Sequence, residues 1–180
     1  DRRRVVRILR NQLVDRRFFG QQHGNTRPVF QGRRHTDNVG IVGEYEAVVN
    51  QNLSLGLSVR RDENNRFDDV TTWRAQGSYA LAGGTRLRAA YGTGVKNPGY
   101  YELFGYSDGK YIGNPNLRPE QSKGWELGVE QTFAAEKATL GATWFDSVLK
   151  DEIYTTYPAP TYVATPGNRT TDSKQHGVEL

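Results

Sequence analysis

From residue 37 onward the chain alternates apolar and polar residues with a period of two, in runs of about ten residues. Residues 53–62 show it most clearly: Leu53, Leu55, Leu57 and Val59 share one face, and Ser54, Gly56, Ser58, Arg60 and Asp62 the other. In 37–49, Val39, Ile41, Gly43, Tyr45, Ala47 and Val49 oppose Asn38, Gly40, Val42, Glu44 and Glu46. Residues 72–81, 85–95, 121–133 and 138–149 repeat the pattern, and "GVEL" begins another strand. A period of two is that of a β-strand, whose side chains point alternately to opposite faces. Runs of about ten residues exceed the usual strand length of about five or six. They match the ~9–11 residues that cross a bilayer at a tilt.

The polar faces carry Arg60, Arg74, Arg86, Arg88, Glu44, Glu126 and Glu130 among glycines. A dry sandwich core would not bury ionised groups on every strand, whereas a wet interior accepts them. The apolar faces carry Tyr45, Trp73, Tyr79, Tyr91, Trp125 and Trp144, which suit a lipid boundary. Connections alternate in length. Those near 50–52, 82–84 and 134–137 are short, and those at 62–69, 96–119 and 150–172 are long. Short turns at one end and long loops at the other characterise outer-membrane barrels. The expected fold is therefore all-β: an antiparallel up-and-down transmembrane β-barrel, of which this chain supplies about seven to eight strands as an open curved sheet. A soluble antiparallel β protein is the competing reading, and a passive porin would share both the alternation and the loop asymmetry.

Residues 1–36 alternate less cleanly and hold ten arginines against Asp1 and Asp15. They read as an uncertain strand followed by a long basic extracellular loop around residues 18–34, ahead of a barrel domain at 37–180. No zinc spacing, helix-turn-helix or RNA-binding signature accompanies the basic head, so nucleic acid is not an expected partner. With no cysteine there is neither a disulfide framework nor a thiolate metal site. The absence of any methionine and of a signal peptide reads as a piece of a longer protein.

Three stretches carry a family resemblance: "RLRAAYGTGVKNPGYYELFGY" (86–106), "GNPNLRPEQSKGWELGVEQ" (113–131) and "TWFDSVLKDEIY" (143–154). Together they resemble the barrel of a TonB-dependent outer-membrane receptor. In that family an NPxLxPE signature leads into a strand patterned as here with Ser122, Glu126, Gly128 and Glu130. "RRDENNRFDDVTTWR" (60–74), "GTGVKNP" and "YELFG" resemble the cobalamin (vitamin B12) transporter subfamily. The resemblance implies a barrel of ~22 strands with a plugged lumen, in the outer membrane of a Gram-negative bacterium, among lipid and lipopolysaccharide. It implies active uptake of a scarce ligand, a corrinoid or an iron chelate, with energy supplied by the TonB complex through an N-terminal plug outside these residues. Cobalamin is the first expectation and a ferric siderophore the alternative. It implies no catalysis.

Candidate residues follow. Tyr100, Tyr101, Phe104, Tyr106 and Tyr111 crowd the 96–119 loop. Aromatic side chains offer large contact area at low entropic cost, so they are the expected ligand-binding residues, with packing against neighbouring loops as the plainer role. Asn97, Pro98, Gly113, Asn114, Pro115, Leu117, Pro119, Glu120, Glu126, Gly128 and Glu130 form the family motif and are expected to be structural. Pro115 and Pro119 stiffen the descent from loop to strand. Asp62, Glu63, Asn64, Asn65, Asp68 and Asp69 supply oxygens that could hold Ca²⁺ in an extracellular loop, but their spacing matches no EF-hand. The lumen-facing arginines and glutamates are expected to form cross-strand charge ladders. No cofactor, catalytic residue or other metal site is expected: His23, His35 and His176 are scattered, and Ser122 and Ser147 lie in no nucleophile motif.

Overall fold

The computed structural model describes residues 2–14, 35–133 and 138–180. Its centre is one antiparallel sheet of eight strands: β1 (Arg2–Val14), β2 (His35–Val48), β3 (Leu53–Asn64), β4 (Val70–Ala80) and β5 (Thr85–Lys96). Between β5 and the next sheet strand lie α1 (Tyr100–Phe104) and a small hairpin of β6 (Tyr106–Ser107) and β7 (Tyr111–Ile112). The sheet continues with β8 (Glu120–Phe133) and β9 (Ala138–Lys150). A second small hairpin, β10 (Ile153–Thr156) and β11 (Thr165–Asn168), precedes the last sheet strand, β12 (Ser173–Glu179). Sheet neighbours follow chain order, β1-β2-β3-β4-β5-β8-β9-β12, and β1 and β12 are its two edges. The basic head thus contributes a strand, with Arg2 opposite Ala47 and Val14 opposite His35. The loop expected around 18–34 and the turn at 134–137 lie outside the described residues.

The register carries the alternation across the sheet. Tyr45 pairs with Leu57, Leu57 with Ala75, Ala75 with Tyr91, and Tyr91 with Trp125, so one apolar row runs over five strands. The neighbouring row, Glu44, Ser58, Arg74, Gly92, Gly124 and Ser147, lies on the opposite face. That face is concave. It encloses an open trough of about 1170 Å³, reached by Gly56, Gln76, Ala90, Glu126, Thr143 and Glu179. The expected charge ladders are present. Arg74 reaches over β5 to Glu126 at 3.3 Å, and Arg88 meets Glu130 at 2.9 Å. Both pairs are solvated, so each contributes little net stability; they keep the concave face wet and charged.

The outer face has a boundary. On β4, β5, β8 and β9 an aromatic residue, Trp73, Tyr91, Trp125 or Trp144, lies one same-face step below a polar one: Thr71, Thr93, Lys123 or Asp146. The rings touch in pairs. Trp73 stacks on Tyr91 at 5.3 Å, and Trp125 meets Trp144 edge-on at 5.3 Å. The line is slanted: relative to the paired rows, it drops four residues over three strand spacings between Trp73 and Trp144. At ~3.3 Å per residue and ~4.8 Å between strands, that slope is about 40°. Because an aromatic girdle follows the membrane surface, the strands are inclined by the same angle, within the ~35–45° of outer-membrane barrels. Asp146 and His176, opposite each other on the outer face, fall on the polar side of this line.

Adjacent residues of one strand should therefore respond oppositely to charge. Leu127 lies below the girdle on the lipid side, and Glu126 on the lumen side. Leu127→Arg should cost about 2–4 kcal/mol in lipid and reduce the heat-modifiable, folded fraction of the whole barrel. Glu126→Arg should leave that fraction near wild type. Equal losses on gels would show the faces to be wrongly assigned.

Candidate functional site

The sheet has no dry core, since one face meets lipid and the other water. The two buried aliphatic side chains among the described residues, Leu103 (2% exposed) and Leu117 (4%), lie in the long loop between β5 and β8. This loop opens with Asn97 and a buried Pro98. It then forms α1, whose first turn is closed by Glu102: its carboxylate accepts the Gly99 N–H at 2.6 Å. The chain returns through β6 and β7 and comes back over α1. There Gly113 donates to the Gly105 carbonyl at 2.7 Å and Asn114 to the Glu102 carbonyl at 2.8 Å. A Cβ on Gly113 would lie 2.7 Å from the backbone nitrogens of Phe104 and Gly105, closer than any side chain fits. Backbone against backbone is what buries Leu103.

The segment 113–120 then ties two loops together. The Asn114 side chain caps its own turn by accepting the Asn116 N–H (3.0 Å) and donates to the Pro166 carbonyl of β11 (3.1 Å). Arg118 donates its N–H to the Asn168 side chain (2.8 Å), which donates back to the Arg118 carbonyl (3.0 Å) and to that of Asp151 (2.7 Å). The Arg118 guanidinium holds the Asp151 carboxylate. Glu120, 7% exposed, accepts the Ile153 N–H at 2.7 Å and Lys96 Nζ at 2.8 Å. Asn114, Arg118 and Glu120 thus find partners 24 to 52 residues away. The motif works as a clasp between the 96–119 and 150–172 loops. Its partners Asp151, Ile153, Pro166 and Asn168 were not singled out from sequence, because no local pattern marks a residue whose partner lies so far along the chain.

The five expected ligand-binding aromatics divide. Tyr100 donates to Thr36 Oγ1 at 2.8 Å and tilts against Phe104 at 6.3 Å, and Phe104 lies beneath the Arg66 guanidinium at 4.6 Å. These two tie loops together. Tyr101 and Tyr111 stack at 4.4 Å and 15°. Burial, and the negative surroundings of Tyr101 and Glu102, raise the Tyr111 phenol above its ordinary range, so it stays a neutral donor. Tyr101 is 57% exposed, and Tyr106 is exposed with its hydroxyl on Asp108. Three further exposed tyrosines stand on the 150–172 loop: Tyr154, covered on one face by the Arg169 guanidinium, and the freer Tyr157 and Tyr162. Tyr162 has φ +51°, a left-handed conformation that costs an aromatic residue strain. Ala164, two residues on, bridges to Tyr111 and so brings this loop beside the Tyr101 stack.

The acidic 62–69 stretch is largely occupied. Asp62 is held by Arg60 and Asn38, Asp69 by Arg61, and the Asn64 side-chain oxygen by the Arg66 and Phe67 N–H groups. Among the described residues no group of three or more His, Asp or Glu is placed to hold a metal ion.

Two substitutions test the clasp in the whole barrel. Gly113→Ala should cost about 1–3 kcal/mol through overpacking and raise amide exchange across 99–117. Glu120→Ala strands the Ile153 N–H and Lys96, again about 1–3 kcal/mol, and should speed exchange and protease cleavage in 151–168. Unchanged protection in either variant would show that the loops stand independently.

Residues 7–180 match the family described as TonB dependent receptor-like, beta-barrel. Solved structures share the fold. The siderophore receptor PirA from Pseudomonas aeruginosa superimposes with TM-score 0.72 at 20% identity, over 81% of this chain and 28% of that one. The ferric enterobactin receptor PfeA of the same organism, a Q482A mutant in complex with enterobactin, gives 0.67 at 19%, over 80% and 24%. The hemophore receptor HasR of Serratia marcescens gives 0.65 at 14%, over 80% and 31%. The chain spans about a quarter to a third of the length of these relatives. With a matched span covering nearly every residue and an eight-stranded sheet inclined as an outer-membrane barrel requires, the chain belongs to the TonB-dependent receptor β-barrel family.

Proposed function

We propose that this chain is the ligand-facing part of an outer-membrane receptor that takes up a ferric siderophore, with energy supplied through TonB. The observation that carries the reading is the clasped loop platform. It presents Tyr101, stacked on Tyr111, with exposed Tyr106, Tyr157 and Tyr162, above a charged, wet trough. Stacked, preorganised aromatics offer contact area to the flat ring systems of an iron chelate without ordering cost on binding. The trough gives a polar path on which no chemistry is done to the ligand, so the proposed role is transport, not catalysis. Solved relatives that bear the names siderophore receptor and ferric enterobactin receptor support an iron chelate. The proposed setting is the outer membrane of a Gram-negative bacterium. Lipid and lipopolysaccharide would cover the girdled face, a plug would fill the trough, and TonB would act through that plug. A corrinoid is the second reading, favoured by the resemblance of residues 60–74 to the cobalamin transporter subfamily.

Growth and binding assays separate the two. A strain lacking the receptor should lose growth on a ferric siderophore as sole iron source, and the gene should restore it. Tyr101→Ala should weaken binding of the chelate by about 0.5–1.5 kcal/mol, roughly two- to tenfold. Restored cobalamin uptake with no effect on iron-limited growth would replace the siderophore reading with the corrinoid one.

A further inference from the structure

The outward face above the aromatic girdle carries a cluster of cations that neither the loop platform nor the trough uses. Lys123 on β8 pairs with Val148 on β9, and Val148 pairs in turn with Lys174 on β12. Lys150 lies one same-face step above Val148, opposite Gln121. Three lysines from three neighbouring strands thus surround one valine. Diagonal neighbours on a sheet face lie about 7–8 Å apart, and each ammonium rides on a flexible four-carbon stem, so the three can converge on one anionic group. All three side chains are exposed. Other cations at this end of the sheet are taken: Lys96 by Glu120, Arg118 by Asp151 and Arg169 by Glu152. Lys123, Lys150 and Lys174 form no ion pair among the described residues. The acids left near them are Asp146, one step below Val148 and opposite His176, and Asp172, just before β12. Three cations stand against these two.

We propose that this corner of the outward face holds the phosphorylated sugar headgroup of an outer-leaflet lipid, lipopolysaccharide in the setting proposed above. Its phosphates sit on Lys123, Lys150 and Lys174, and its acyl chains run down the face below the Trp125–Trp144 pair. The proposal rests on the outer-membrane reading and adds a defined lipid partner to it. Depth decides which lipid. The girdle passes through Trp125 and Trp144 and falls toward β12. At ~3.3 Å per residue along strands inclined by about 40°, Lys123 stands about 5 Å above it, and Lys174 and Lys150 about 13 and 15 Å. The headgroup layer of a phospholipid leaflet is about 5–8 Å thick, so a phospholipid phosphate lies at the level of Lys123 alone. A phosphorylated sugar headgroup is taller and meets all three. Barrel closure beyond β12 engages that strand's backbone edge and leaves its outward side chains free. Lysines on three separate strands share no motif, and only the register assembles them.

The test uses the whole receptor, delipidated in detergent, and reads bound lipid per barrel by native mass spectrometry. The probes are lipopolysaccharide, its enzymatically dephosphorylated form, phosphatidylglycerol and inorganic phosphate. The wild type should bind lipopolysaccharide at least tenfold more tightly than each of the other three. Lys123→Gln, Lys150→Gln and Lys174→Gln should each weaken it by about fivefold, and the triple variant by more, with folded, heat-modifiable gel mobility retained. Should the triple variant lose that mobility, the single substitutions carry the comparison. Lys110→Gln, which removes an exposed lysine from the loop tip, should change nothing. Added salt should weaken lipopolysaccharide more in the wild type than in the triple variant. An equal loss in Lys110→Gln would reduce the effect to net charge, and no loss in any variant would leave the lysines unused; each overturns the proposal. So does equal binding of the dephosphorylated form. Phosphatidylglycerol binding as tightly would assign the site to any anionic lipid, and inorganic phosphate doing so would make it a free-anion site; either result also overturns it. A receptor that assembles in the outer membrane but fails these comparisons sinks the site and spares the membrane reading. One that never assembles there sinks both.

Discussion

A strand crossing lipid must have every backbone N–H and C=O paired within its own sheet, because hydrocarbon offers no partner and each unpaired group costs several kcal/mol. The other features of the sheet follow from this. The sheet strands β1 to β5, β8 and β9 run 11 to 14 residues, and each pairs only with the sheet strands that precede and follow it along the chain. Side chains are then free to differ on the two faces, since neither has to form a core. The outer face is apolar where it meets acyl chains and aromatic at its upper limit. The concave face holds Arg74, Arg88, Glu126 and Glu130 at no great cost, because water reaches them. The low mean hydropathy of the chain, -0.74, is a consequence of that second face and of the loops.

The same constraint explains why Leu103 and Leu117, the buried aliphatic side chains among the described residues, sit outside the membrane. Loops beyond the bilayer must be ordered by ordinary means, hydrogen bonds and a small dry contact. The segment 113–120 supplies both within eight residues. Leu117 fills the contact, Gly113 permits close backbone approach, and Asn114, Arg118 and Glu120 spend their polar groups on the second loop. Pro115 and Pro119 reduce the conformations available to the segment before any of these bonds forms.

Much of the sheet was legible in the sequence because a period of two is a local signal. Leu55, Leu57, Trp73 and Trp125 could be assigned to the outer face from spacing alone, and the register agrees. The head was less legible. Arginines interrupt the alternation of residues 2–14, so the stretch read only as an uncertain strand, and pairing with β2 settles it as one. The small elements inside the long loops, α1, β6, β7, β10 and β11, were not anticipated. Each is two to five residues long, too short for a periodic pattern, and α1, β7, β10 and β11 are stabilised by contacts with another loop. For the candidate site, "NPNLRPE" could be read as structural but not as a clasp, since Asn168 and Asp151 carry no mark of their role. The aromatics could be found but not sorted: that Tyr100 and Phe104 are committed to packing while Tyr101 is exposed depends on Thr36 and Arg66, far away in sequence.

The clasp also determines where this molecule can move. Its lowest contact, Glu120 with Lys96 and the Ile153 N–H, sits where β5, β8 and β10 converge at the rim of the barrel. Its upper contacts end at Pro166 and Ala164, and beyond them the chain carries Tyr157 and Tyr162 with most of their surface free. Local opening is easiest where buried contacts are few, so stability falls from rim to tip. Because the two loops share one set of hydrogen bonds, displacement of one near the rim breaks contacts of the other, and they shift as a unit. The tips stay individually adjustable. The tyrosines of both loop tips can therefore shift at small local cost, while the platform that aligns them, and the mouth of the trough beneath, keep their shape until several charge-assisted bonds break together.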